Sequence, residues 1–280
     1  MRNGRKLRIV LICVLGLIAL YGILRLALIY AGYHKAEKLY DALRDEVVYA
    51  TAPMLPDITL MPDKPGVSVP GSIEILNTPL PSPEVPPRID FEKLKQVNAQ
   101  STAWIWIPGT KIDYPLMHGE DNEKYLRRAY DGSYSSGGSI FLDWQNTGDL
   151  TDRHSIIYGH NMKDDSMFGQ LSKYGDQDFC DTHSYIYLLT DTLIRKYRIF
   201  SVYVTTADYD SYRLFFENDE DYNNYIKQLA SYSWFETQTS PGTGAQIITL
   251  STCVSDKSKR RVIHAVLIEE TPIKKDNDTA

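Results

Sequence analysis

The sequence predicts a mostly β domain, a closed barrel or a sandwich carrying helical insertions. From residue 103 the chain runs through short β-rich stretches bounded by turn residues: AWIWIPGTKIDYPLMH, GSIFLDW, HSIIYGHN, SYIYLLTDTLIRKYRIFSVYVTT, AQIITLSTC and RRVIHAVLIEE. Helical patterns interrupt them at DNEKYLRRAY, SMFGQLSKY and NDEDYNNYIKQLASY (218–232). Many short strands with few long helices argue against a doubly wound α/β sheet.

The residues before this domain set its location. MRNGRKLR (1–8) carries Arg2, Arg5, Lys6 and Arg8 and no acid. The next run, IVLICVLGLIALYGILRLALIYA (9–31), is apolar with one charge, Arg25, near its outer end, where a long side chain can snorkel. That length suits an uncleaved membrane-spanning helix, whereas the apolar core of a cleaved signal peptide spans about 7–15 residues. The basic flank predicts a cytoplasmic N-terminus and an exported C-terminal part.

Within 32–50, HKAEKLYDALRDEV (34–47) reads as an amphipathic juxtamembrane helix. Residues 51–88 hold ten of the chain's fourteen prolines, which neither a helix nor a central strand tolerates. They read as an extended spacer that, at about 3 Å per residue, would hold a domain on the order of 100 Å from the membrane. The globular domain is then expected over 89–280. It opens on a helix in DFEKLKQVN with Asp90 as its N-cap.

Composition bounds the rest. At 280 residues, 43% hydrophobic and 24% charged, the chain can form one good-sized domain plus these appendages. Three cysteines are too few for a disulfide framework, and their spacing fits no zinc pattern. Setting aside the four basic residues of the tail turns the net charge of −6 into −10 over 9–280, which argues against a nucleic-acid partner.

Cys253, at the end of one apolar run and before two arginines, is the cysteine with suggestive neighbours. Strand alternation puts Ile247, Thr249, Ser251 and Cys253 on one face. On the next strand Arg260, Val262, His264 and Val266 share a face, and Arg261, Ile263 and Ala265 the opposite one. If the two strands are neighbours, one arginine lies beside the sulfur and the other points away. Alternation leaves open which. A guanidinium there favours thiolate or stabilises an oxyanion on an attacked carbonyl. A cysteine nucleophile also needs a proton carrier, usually histidine. Of His34, His118, His154, His160, His183 and His264, His160 follows an apolar strand and a glycine in SIIYGHNM, a position suited to projecting into a cleft. His34 lies next to the membrane, and His264 reads as a packed or surface residue within a strand. Pattern alone equally fits a buried structural cysteine, a surface histidine and a solvated charged turn at KSKRR.

TLSTC followed by RRVIHAVL resembles the signature of the sortases, membrane-anchored cysteine transpeptidases of Gram-positive bacteria, with T-L-x-T-C on one strand and an arginine on the next. WIWIPGTKIDYPLMHGEDNEKYL, GSIFLDWQN and SIIYGHNMKDDSMFGQLSKY extend the similarity over about 89–270, to the class B branch in particular. The resemblance implies an eight-stranded β-barrel with a helix between the sixth and seventh strands, where 218–232 is in place. It implies Cys253 as nucleophile and His160 as general acid/base. The family arginine stands four residues before a strand histidine, which selects Arg260 over Arg261. Class B substrate-contacting positions match Asn122, Leu126, Tyr158 and Ser251. Some class B members carry acidic residues at the two positions after the nucleophile. This chain has Val254 and Ser255 there, so an acid that would support the histidine is absent.

The activity implied is cleavage of a C-terminal sorting motif of secreted proteins after threonine, through a thioacyl enzyme resolved by a peptidoglycan amine. It requires neither metal nor organic cofactor. Two other readings predict different behaviour: an inactive anchored peptide-binding module, and a thiol peptidase that releases its product to water. A pilin-linking variant would carry a lid motif such as Asp-Pro-Trp, and 51–88 has none.

Overall fold

Strand pairing closes the β-rich stretches into a barrel. The computed structural model describes residues 2–49, 85–206 and 209–273. Its barrel strands are β1 (Ser101–Trp106), β2 (Asp113–His118), β3 (Ile140–Leu142), β4 (His154–Tyr158), β5 (Tyr185–Leu189), β6 (Leu193–Thr206), β7 (Ile247–Cys253) and β8 (Lys259–Pro272). They close in the order β8-β6-β5-β1-β2-β3-β4-β7, with β7 returning to β8. Two pairs, β2–β3 and β4–β7, are parallel, and the others are antiparallel. The parallel β4–β7 pair matters most, because both strands then end at the same rim.

The helices are α1 (Arg2–Val47), α2 (Phe91–Val97), α3 (Gln177–Thr182) and α4 (Asp219–Ser231). Asp90 caps α2 as expected, its carboxylate accepting from Lys93 N at 3.0 Å. α4 lies between the sixth and seventh barrel strands, and Asn218 accepts from Asp221 N at its start. Tyr222, Tyr225, Ile226 and Leu229 follow helical spacing and bury one face of α4 against Phe200, Ile247 and Val266. The other two helical patterns prove shorter than a helix. DNEKYLRRAY forms one 3₁₀ turn, Lys124–Leu126, pinned by the Asp121 carboxylate on two backbone N–H groups. SMFGQLSKY forms a 3₁₀ segment, Gly169–Gly175. α3, with Asp176 as its cap, has no counterpart among the expected helices. It buries Cys180, whose thiol burial pushes up to about 12, so that this cysteine is an inert packing residue.

The membrane-proximal helix departs from the expected organisation. Residues 34–47 are not a separate helix but the end of α1, and Tyr40, Leu43 and Val47 are buried in the barrel's own core. Tyr40 Oη donates to the Gly138 carbonyl at 3.1 Å, and Arg44 Nε to the Asp113 carbonyl at 3.1 Å. Val48–Tyr49 then pairs antiparallel with Arg88–Ile89, so the two flanks of the Pro-rich stretch are joined directly. Residues 50–84 of that stretch lie outside the described residues. What the described residues show is that the two flanks pair and that the end of α1 packs directly on the domain. Further back, α1 is long and apolar enough to cross a membrane, and Leu11 to Tyr30 offer their apolar side chains to the surroundings.

Two histidines lie in the barrel wall. His154 on β4 and His264 on β8 are both buried and bonded through Thr249 on β7. Burial lowers His154 to about 4, against smaller opposing contributions from the Arg213 carbonyl, Asp143 and Asp152. His264 is lowered well below its ordinary value by burial and by its proximity to His154. A folded value below the unfolded 6.5 means that the unfolded chain binds the proton first as pH falls. The fold should therefore be at full strength above pH 6.5 and lose stability as pH falls from there to about 4. The loss from His154 alone is on the order of 3 kcal/mol. Urea unfolding midpoints measured from pH 7 to pH 5, above the carboxylate range, should fall steadily; a flat profile contradicts this.

Candidate active site

β7 runs between β4 and β8, so side chains at their shared rim converge on Cys253. In the β7–β8 register Arg260 is directly opposite Cys253, and Arg261 is opposite Thr252. Directly opposed residues project on one face, so Arg260 is the arginine beside the sulfur. Arg261 takes the other face, stacking on the Trp234 ring at 5.4 Å and donating to the Leu171 and Ser172 carbonyls. On the other side, Tyr158 is level with Ser251 in the parallel β4–β7 ladder. Continuing that register two residues past the end of β4 brings His160 level with Cys253.

The ends of β4 and β7 are tied together. Thr252 Oγ1 donates to the Gly159 carbonyl at 2.7 Å, and Asn161 Nδ2 to the Cys253 carbonyl at 2.8 Å. A side chain at position 159 would meet Phe168 at 2.6 Å, which is why a glycine precedes the histidine. His160 Nε2 is 2.9 Å from the Leu126 carbonyl. A carbonyl only accepts, so Nε2 carries the hydrogen and Nδ1 is left for proton exchange. Arg260 Nη1 donates to the Lys257 and Lys259 carbonyls at 2.6 and 3.0 Å, which holds its guanidinium at the short turn after Cys253.

These groups surround a cleft of about 300 Å³. Every site residue expected from the sequence lines it: Cys253, His160, Arg260, Asn122, Leu126, Tyr158 and Ser251. Cys253 is half-buried, so its thiol is reachable from the cleft, unlike the buried Cys180. Among the described residues, no three His, Cys, Asp or Glu side chains gather as metal ligands.

Two contributors had no signal in the sequence. Asp143, buried at the end of β3, accepts from Asn122 Nδ2 at 2.9 Å, Tyr158 Oη at 3.0 Å and Gln145 N at 3.0 Å. It fixes two cleft residues at once. Burial and this carboxylate push the Tyr158 phenol above its ordinary value, so it stays protonated. Tyr212, between β6 and α4, bonds Ser251 Oγ at 2.9 Å and stacks on Tyr158 with ring centres 6.4 Å apart.

A thiol, an imidazole and a guanidinium on three adjacent strand ends, beside a cleft also lined by Leu126, Phe141 and Tyr158, suit acyl transfer on a peptide. The comparisons agree with that chemistry. The sortase domain family matches residues 105–268. Sortase B of Listeria monocytogenes is 35% identical over 184 residues, covering 65% of this chain and 75% of the relative. Sortase B of Staphylococcus aureus is 33% identical over 187 residues, covering 65% and 76%. Among solved structures, sortase B of Bacillus anthracis in complex with AAEK1 superposes with a TM-score of 0.61 at 37% identity, covering 65% of this chain and 85% of that one. A Staphylococcus aureus sortase B–substrate complex gives 0.61 at 32%, covering 64% and 84%. With barrel, rim chemistry and relatives in agreement, the chain belongs to the sortase family of cysteine transpeptidases, in its class B branch.

Proposed function

We propose that Cys253, His160 and Arg260 cleave a C-terminal sorting motif of secreted proteins after its threonine and join the acyl part to a peptidoglycan amine. The convergence of these three side chains on one peptide-sized cleft carries the reading. The Cys253 sulfur attacks the threonine carbonyl as its thiol proton passes to His160 Nδ1, and a C–S bond forms while the carbonyl oxygen becomes an oxyanion held by Arg260. Collapse breaks the C–N bond, and His160 gives its proton to the departing amine. An incoming amine then attacks the thioester, the C–S bond breaks, and His160 takes up the proton released. Asn122, Leu126, Tyr158 and Ser251 line the groove that would hold the motif.

In this reading α1 crosses the membrane with its basic end in the cytoplasm, which leaves the barrel outside beside both secreted substrate and wall precursor. The test uses the full chain in detergent with fluorogenic Asn-Pro-x-Thr and Leu-Pro-x-Thr peptides, with and without a wall-type amine. One motif should be cleaved, and the added amine should appear in the product. Cleavage that yields only free acid at saturating amine makes the protein a hydrolase. Binding without turnover of any peptide makes it a binding module.

A further inference from the structure

Behind the cleft wall lies a buried polar relay with no place in the acyl-transfer chemistry. Arg213 O is 2.7 Å from His154 Nδ1, and His154 Nε2 is 2.6 Å from Thr249 Oγ1. Thr249 Oγ1 is 2.7 Å from His264 Nδ1, His264 Nε2 is 3.0 Å from Tyr203 Oη, and Tyr203 Oη is 2.7 Å from Ser211 Oγ. One acceptor-only end orders every hydrogen. Burial keeps both imidazoles neutral, and the Arg213 carbonyl accepts, so His154 Nδ1 donates and its Nε2 accepts from the Thr249 hydroxyl. Thr249 Oγ1 then accepts from His264 Nδ1–H, which leaves His264 Nε2 to accept from Tyr203, and Tyr203 to accept from Ser211. His154, Tyr203, Ser211, Thr249 and His264 are all buried. Each imidazole is thus held in a single tautomer, and Thr249 is the link that both donates to a histidine and accepts from one.

Both ends of the relay return to the same short segment. Ser211 and Arg213 flank Tyr212, whose hydroxyl bonds Ser251 and whose ring stacks on Tyr158 inside the cleft. The Arg213 guanidinium is held separately by Asp221 of α4 at 2.7 Å. We infer that the His154–Thr249–His264 relay is a positioning device that clamps Tyr212 from either side and so sets the cleft wall for the peptide. Thr249, the first threonine of TLSTC, is its central link. The inference rests on the proposed peptide-binding role of the cleft for its consequence, but not for the clamp itself.

The test compares wild type with Thr249→Val, which keeps the shape and removes both bonds, and Thr249→Ser, which restores them. Hydrogen exchange of residues 210–216 reads the clamp directly, in the full chain without any peptide. Thr249→Val should expose these amides and raise KM for the cleaved peptide by about tenfold, with kcat within about twofold. Thr249→Ser should behave as wild type. In a Tyr212→Ala background, Thr249→Val should raise KM no further, because the group it positions is gone. Unchanged exchange in Thr249→Val overturns the inference, as does a KM increase of equal size in both backgrounds. If Thr249→Val fails to fold, Ser211→Ala removes one end of the relay without touching either histidine, and it must loosen the same amides. If wild type cleaves no peptide, the proposed function falls while the exchange comparison still decides the clamp.

Discussion

Cys253→Ala should lower kcat/KM for the sorting peptide by at least about 10⁴-fold, the scale of removing a covalent nucleophile. No other described thiol can substitute. Cys180 is buried in α3 and held protonated, and Cys13 lies on the apolar part of α1. Cys253 is half-buried at a strand end, so its truncation leaves no closed core cavity. The melting temperature should stay within about 3 °C of wild type, since the lost packing is under 1 kcal/mol. Cys180→Ala should do the reverse, lowering the melting temperature while preserving peptide turnover. Steady-state kinetics and thermal unfolding of the two variants side by side check both statements. Appreciable activity in Cys253→Ala would mean that the cleft chemistry is wrongly assigned.

The two neighbouring arginines should separate just as cleanly. Arg260→Ala is expected to cost about 10²–10³ in kcat with little change in stability, the effect of removing one oxyanion donor. Arg260 is opposite Cys253 in the strand register and lines the cleft. Arg261 lies on the far face, where its guanidinium covers Trp234 and caps two carbonyls of the 169–175 turn. Arg261→Ala should therefore destabilise the fold by about 1–3 kcal/mol while kcat stays near wild type. Arg260→Lys keeps the charge but loses the planar fork, and it should recover only part of the rate. Equal kinetic losses for Arg260→Ala and Arg261→Ala contradict the assignment.

Much of the site was legible in the sequence because strand periodicity is local. Alternation alone put Ser251 and Cys253 on one face and limited the arginine to one of two. Choosing Arg260 needed either the family spacing or the observed register, since no local pattern says which residue of β8 faces which of β7. His160 stood out through its glycine, and that glycine turns out to be required by Phe168.

The hidden features depend on partners far apart in the chain. Asp143 holds Asn122 and Tyr158 from 21 and 15 residues away, and nothing around it marks a triple acceptor. His154 and Thr249 meet across 95 residues, so a histidine that looked like a packed or surface residue, His264, became part of an ordered relay. The pairing of the flanks around the Pro-rich stretch was hidden for a related reason. Prolines report that a stretch is neither helix nor central strand, but not that its flanks return to each other, as Val48–Tyr49 and Arg88–Ile89 do. DNEKYLRRAY had helical periodicity, yet side-chain capping by Asp121 and burial of Tyr125 leave a single 3₁₀ turn.

In the proposed reaction the acyl group passes through Cys253. Intact-mass spectrometry of the full chain, quenched in acid during turnover of a cleaved motif peptide without amine, tests it most directly. The expected result is a mass increase equal to the peptide fragment ending in threonine, mapped to Cys253 after digestion. It should be absent from Cys253→Ala and be chased into amine-joined product when the amine is added before the quench. Steady cleavage with no adduct on Cys253, or an adduct that the amine does not consume, would contradict the transpeptidase mechanism.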